Sequence, residues 1–136
     1  SKASASVTNT KMLKGLNDQY EPENSNDHNA VFLHWWPKQN STEWVQYDFD
    51  QEYTISESSV YWFDDGPFGG CRIPAGWKLL YKSGQDWLPV ETTDKYDIHI
   101  NQYDKIRFKP VKTTALKLEV QLPAEHSAGI QEWIVK

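Results

Sequence analysis

Cysteine, methionine and long apolar runs are scarce in this chain. A single cysteine, Cys71, excludes an internal disulfide framework. No His or Lys lies beside it in sequence to depress its pKa, so it reads as a small buried residue rather than a reactive thiol. No stretch approaches the roughly 18 apolar residues of a membrane span. Basic residues are outnumbered, 14 Lys and Arg against 19 Asp and Glu, for a formal net charge of −5. That balance argues against nucleic acid or an anionic membrane as partner, since both call for a basic face. No segment keeps a helical period, and helix is limited to a turn or two around residues 11–16. There is no internal repeat, low-complexity tail or linker. At 136 residues the chain is expected to form one domain over its whole length.

Aromatics are what the chain has in plenty: seven Trp, seven Tyr and five Phe. That is more indole than a core of this size needs, so part of it is expected at the surface, where Trp usually marks contact with something. The remaining pattern is that of strands. Leu116, Leu118, Val120 and Leu122 alternate with polar residues, as do Val45, Tyr47 and Phe49. Residues 59–63, 77–81, 106–108 and 129–135 add β-branched and aromatic segments. Ser83-Gly84-Gln85-Asp86 reads as a hairpin turn. About eight short strands predict an all-β fold, an antiparallel β-sandwich of the jelly-roll kind. Residues 17–30 and 64–76 read as long loops, which in a compact domain are often functional.

The second of these loops follows the strand Val60-Tyr61-Trp62-Phe63 and carries Asp64, Asp65, Phe68, Gly69, Gly70 and Arg72. Carboxylate acceptors, a five-donor guanidinium and an apolar ring suit a sugar, which has hydroxyl edges and C–H faces. Arg72 either bridges a diol or pairs with an Asp to stiffen the loop. Phe68, between Pro67 and Gly69, has no obvious core partner and is a candidate stacking plate. His34-Trp35-Trp36-Pro37 is the other feature. Strand alternation sends Trp35 and Trp36 to opposite faces, one to the core and one to the rim, where a two-torsion indole can stack on a sugar ring at little entropic cost. Asp64 and Asp65 do not form a glycosidase pair, since adjacent strand residues point apart and such catalysis needs two carboxylates flanking one bond. No nucleophile elbow, phosphate loop or metal-hydrolase motif is present. The histidines, His28, His34, His99 and His126, are too scattered for zinc. The first loop is dense in oxygen donors of the kind that calcium takes.

The succession Leu16-Asn17-Asp18, Glu43-Trp44-Val45-Gln46-Tyr47-Asp48-Phe49, Val60-Tyr61-Trp62, Arg72-Ile73-Pro74 with Trp77-Lys78-Leu79-Leu80-Tyr81, then Gly84, Trp87 and Ile130-Gln131-Glu132-Trp133 resembles the discoidin, or coagulation-factor-5/8 type C, superfamily. The chain is most similar there to family 32 type carbohydrate-binding modules appended to bacterial glycoside hydrolases, β-L-arabinofuranosidase-like enzymes among them. The resemblance implies a galactose-binding-like jelly roll and a structural Ca²⁺ on Asp18, Ser25 and Glu132, with Gln19 where the family usually has Gly. It also implies sugar contacts from Arg72 and from a histidine, His34 or alternatively His28.

Taken together, the residues and the resemblance lead to a non-catalytic module that binds an oligo- or polysaccharide through His28 or His34, Trp36, Asp64, Asp65, Phe68 and Arg72. The expected targets are arabinose- or galactose-containing, pectic glycans of the plant cell wall. The module is expected to be a monomer, covalently linked to a glycoside hydrolase, and secreted, periplasmic or on a bacterial cell surface. One rival reading is an accessory sandwich that packs on a catalytic domain and binds no sugar. Another is a protein- or lipid-binding discoidin domain, which the net charge opposes.

Overall fold

Why strands form here is visible in the alternation of burial. In Val45-Gln46-Tyr47 and Leu116-Lys117-Leu118-Glu119-Val120, apolar side chains go inward and polar ones outward. The computed structural model describes residues 2–7, 12–13, 16, 24–25 and 32–136. Among these are β1 (Lys2–Ala5), β2 (Leu33–His34), β3 (Thr42–Phe63), β4 (Gly76–Ser83), β5 (Asp86–Pro89), β6 (Tyr103–Gln121) and β7 (Gly129–Val135). Every strand pair is antiparallel, in the order β2-β7-β3-β6-β4-β5, with β1 added on β3.

Among the described residues there are seven strands where about eight short ones were expected, and two of them run through both layers. The first half of β3 pairs with β1 and with the end of β6, which in turn pairs with β4. After register shifts between Asp48 and Tyr53 and between Ile55 and Glu57, its second half pairs with the start of β6 and with β7. Such irregularities bend and twist a strand, which lets one strand serve two layers of a sandwich. The hairpin at Ser83–Asp86 stands as predicted, with Gly84 at φ 63°. Of the predicted helical turn, Met12 and Leu13 form a short 3₁₀ turn closed by Leu16 N–H donating to Leu13 O at 3.3 Å; its other residues lie outside the described ones.

Between the layers sit Val45, Tyr47, Val60, Trp62, Leu79, Leu116, Leu118, Val120, Ile130 and Trp133, all buried. Each fully buried side chain of this size is worth roughly 1.5–3 kcal/mol. Indoles are tolerated in this core because each finds an acceptor for its N–H. Trp35 donates to Ser6 Oγ, Trp62 to Asp104 Oδ2, Trp77 to Asp97 O and Trp133 to Ser58 Oγ, at 2.9–3.1 Å. Tyr47 stacks on Trp133 with ring centroids 4.2 Å apart and donates its hydroxyl to the Trp133 carbonyl. Trp44 and Trp87 are half-buried, with Lys117 Nζ 5.8 and 4.2 Å from their ring centroids. Trp36 alone of the seven is exposed, at 59%.

Asp104 ties this core to the surface. Its buried carboxylate accepts from the Trp62 indole, from His99 N–H and from His99 Nδ1. The hydrogen bond to Asp104, and then its charge, raise the His99 pKa above the ordinary value of 6.5. A raised folded value means that the folded state binds the extra proton more tightly than the unfolded chain. The stabilisation is therefore complete below pH 6.5 and fades as pH rises through the folded value. In thermal melts, wild type should exceed His99→Ala by a wider margin at about pH 5.5 than at about pH 8.5. A margin that ignores pH would contradict the assignment.

Candidate functional site

Three strand ends meet at one end of the sandwich. In register, Gly129 of β7 faces Phe63 of β3 on one side and His34 of β2 on the other. A Cβ on Gly129 would lie 2.6 Å from the Leu33 carbonyl oxygen and 3.1 Å from the Phe63 ring. Glycine is what allows these two strands to close on β7. The closure brings Phe32, His34 and Phe63 together, and Phe32 stacks on Phe63 with centroids 3.9 Å apart and planes 14° apart.

The loop leaving β3 is organised by its own charged residues. Asp64, buried, accepts from Gly66 N–H at 2.9 Å on one oxygen and from Ile73 N–H at 3.1 Å on the other. Asp65 Oδ1 accepts from Cys71 N–H at 2.8 Å, and the Asp65 carbonyl accepts from Gly69 N–H at 2.8 Å. Arg72 Nη1 donates to the carbonyls of Gly69 and Cys71 at 2.7 and 2.8 Å, and Nη2 to that of Pro67 at 3.3 Å. The Arg72–Asp65 charge contact is longer, 3.8 Å. Backbone bonds from Arg72 N–H to Ser127 O and from Ser127 N–H to Gly70 O fasten the loop to the segment before β7. Of the two roles read for Arg72, loop stiffening is thus the one its contacts display, chiefly through carbonyls rather than the carboxylate. Asp64 is likewise a loop-folding residue.

Trp36 is presented by a tight turn in which Lys38 N–H donates to Trp35 O at 2.9 Å. Buried Trp35 anchors that turn, its N–H donating to Ala128 O. The two indoles divide as expected, Trp35 inward and Trp36 outward, but both lie past the end of β2, so the turn and not strand alternation separates them. Trp36 lies against the loop at Gly70, where a Cβ would come within 2.5 Å of the indole Nε1.

Together these pieces enclose an open cavity of about 190 Å³. Its walls are the Phe32–Phe63 pair and the Trp36 indole; its polar groups come from His34 and Asp65, and Gly70 and Cys71 close it. Burial lowers the His34 pKa, partly offset by the Asp65 charge, so the imidazole is neutral at pH 7 and offers one donor and one acceptor. His34 Nδ1 is buried with no hydrogen-bond partner among the described residues, the kind of local cost that concentrates at functional sites. Burial pushes the Cys71 thiol up to about 12, which keeps it protonated.

Sequence reasoning found His34, Trp36 and Asp65, and the structure brings them to one cavity. It places Phe68 on the adjoining loop, 98% exposed. Asp64 and Arg72 are in that loop but not on the cavity wall. Phe32 and Phe63 were missed. Strand alternation predicts one face for Phe63, but nothing local announces that both faces of this strand end are covered. His28 and Asp18 lie outside the described residues. Ser25 is buried, its hydroxyl accepting from Asn101 N–H and its carbonyl from Asp64 N–H and Gln131 Nε2. Glu132 is buried at 1% exposure, just past the register shift that separates it from Ile130. Among the described residues, no three His, Cys, Asp or Glu are grouped to hold a metal.

The molecule is thus a jelly-roll-type sandwich with a small aromatic cavity at its loop end. A family model for a NedA-like, galactose-binding domain of the F5/8 type C kind matches residues 24–118, and the chain belongs to that family. Solved structures agree in fold. A chain of the Streptococcus pneumoniae β-galactosidase BgaA superposes with a TM-score of 0.75 at 17% identity, covering 98% of this chain and 89% of that one. The Clostridium perfringens module CpGH89CBM32-5, solved with GalNAc-β-1,3-galactose, gives 0.68 at 15% identity over 98% and 93%. A pectin-binding carbohydrate-binding module gives 0.61 at 16% identity over 100% and 89%. The fold is that of the galactose-binding domain, shared with the CpGH89CBM32-5 module and the pectin-binding module.

If Arg72 holds the loop, Arg72→Ala should cost roughly 1–3 kcal/mol, as expected for stranding partly buried carbonyls. Hydrogen exchange at the amides of Gly66, Gly69 and Cys71 should accelerate at the same time. Unchanged protection of those amides would contradict the assignment.

Proposed function

We propose that this domain binds neutral arabinose- or galactose-containing glycans of the plant cell wall and so tethers a covalently linked glycoside hydrolase to its substrate. The observation that carries the reading is the cavity at the loop end. It joins the one exposed indole of the chain, Trp36, to a neutral imidazole and a carboxylate, His34 and Asp65. The indole and the Phe32–Phe63 wall supply apolar surface for C–H faces. His34 and Asp65 supply acceptors and a donor for hydroxyls, the carboxylate bonds being charge-assisted. A carboxylate in the wall favours a neutral sugar over a uronate, so within pectic material the neutral side chains are the better match. A related fold that binds pectin supports the target class.

Asp64 and Arg72 act in this account as the frame of the site, and Phe68 as an exposed plate beside it. The cavity is small, so affinity for one site should be weak, about 10 µM to 1 mM. Attachment to an enzyme turns weak binding into residence through effective concentration. Polysaccharide of this kind is met outside the cell, so the module works secreted, in the periplasm or on the cell surface, as a monomeric unit of a larger protein.

The direct test is calorimetry against arabinan, arabinogalactan, pectic galactan, rhamnogalacturonan and xylan, with wild type beside Trp36→Ala. Binding to at least one neutral glycan, weakened about tenfold or more in the variant, is expected; tenfold corresponds to about 1.4 kcal/mol. No binding to any of the five would leave the accessory-sandwich reading in its place.

A structural calcium on Asp18, Ser25 and Glu132 belongs to the same proposal. The buried Glu132 carboxylate is a hard oxygen donor of the type calcium prefers. Its role would be to pin the first loop. A cation that binds only the folded state raises the melting temperature, so melts in calcium should exceed melts in chelator, and Glu132→Gln should erase the difference. Identical melts would remove the metal.

A further inference from the structure

A second cavity, of about 180 Å³, opens beside the first. Its apolar walls are Val7, Met12 and Pro37, and Lys38 stands at its edge. Trp36 and His34 line both cavities. The exposed indole is therefore a wall shared by the two chambers, and the imidazole is the polar group common to them. Each chamber alone falls short of the ~300 Å³ at which ligand pockets usually begin, whereas the pair reaches it.

The two chambers differ in chemistry. The first has the Phe32–Phe63 stack and the Asp65 carboxylate. The second has aliphatic and thioether walls and an ammonium. Lys38 Nζ donates to the Ser6 carbonyl at 2.9 Å and to Glu43 Oε1 at 3.0 Å. An ammonium has three protons, so Lys38 is held in place by two bonds and keeps a third donor for a hydroxyl. Because Glu43 is ion-paired with it at 3.0 Å, the charge is locally compensated, and the second chamber too suits a neutral ring.

From this geometry we infer that the ligand is a glycan segment of at least two neutral units that straddles Trp36. One ring occupies the Phe32–Phe63–Asp65 chamber and the next the Val7–Met12–Lys38 chamber. The inference rests on the carbohydrate-binding reading given above and adds the length and path of the ligand. It makes the module a reader of chains rather than of single terminal sugars.

The test compares mono- and oligosaccharides by calorimetry: galactose, β-1,4-galactobiose and β-1,4-galactotriose, with arabinose and α-1,5-arabinobiose as a parallel series. For wild type, in whichever series binds, the disaccharide should bind about tenfold or more tighter than the monosaccharide. Val7→Phe, which fills the second chamber, should reduce that gain to under about threefold. Saturation-transfer NMR on the wild-type protein needs no variant and should show both rings of the disaccharide in contact. Equal affinity for mono- and disaccharide, or saturation of one ring only, would overturn the two-chamber inference and leave the sugar-binding reading standing. A wild-type protein that binds neither series would defeat that reading and this inference with it.

Discussion

The site depends on how the loop after β3 satisfies its own backbone. A glycine-rich loop that carries a cavity wall at the protein surface would be floppy unless its polar groups were tied down. Asp64 and Asp65 accept from the N–H groups of Gly66, Ile73 and Cys71, and Arg72 caps the carbonyls of Pro67, Gly69 and Cys71. The three charged side chains fold the loop from within. Trp36 can then rest on Gly70 and stay exposed without being loose. A rigid indole loses little entropy when a ligand stacks on it, so the internal bonding of the loop is what makes a shallow site workable.

A second constraint comes from the strands. Gly129 lets β2 and the end of β3 approach β7 from either side, and this sets His34 and Phe63 in one wall. The aromatic content that looked excessive divides by role. Trp35, Trp62, Trp77 and Trp133 are core indoles with satisfied N–H groups, Trp44 and Trp87 flank Lys117, and Trp36 remains exposed at the cavity. Composition alone signals that some indole must reach the surface. Only the turn at Trp35–Lys38 decides which one.

Much of the fold is legible in the chain. Alternation at Val45–Tyr47 and Leu116–Leu122, the run from residue 129 to 135 and the turn at Gly84 are local signals, and they stand where expected. The continuity of β3 and β6 is not legible, because a strand that bends from one layer into the other keeps its local pattern while its partners change. The site is legible in part for the same reason. His34, Trp36 and Asp65 stand out by chemistry. The stack of Phe32 on Phe63 arises because β2 and the end of β3 both pair with β7, and no local pattern reports such a contact. Arg72 marks the limit of reasoning from residue type. Its five donors fit a sugar diol and loop carbonyls equally well, and the geometry shows three bonds from its two Nη atoms to carbonyls.

The most direct test of the central claim is an amide and indole N–H spectrum of the isotopically labelled domain during titration with neutral arabinan and galactan oligosaccharides. The account predicts that the Trp36 indole resonance and the amides of His34, Asp65, Gly69 and Gly70 move together, while those of Trp44 and Trp87 stay still. Perturbation centred on Trp44 and Trp87, or no perturbation with any neutral glycan, would contradict it.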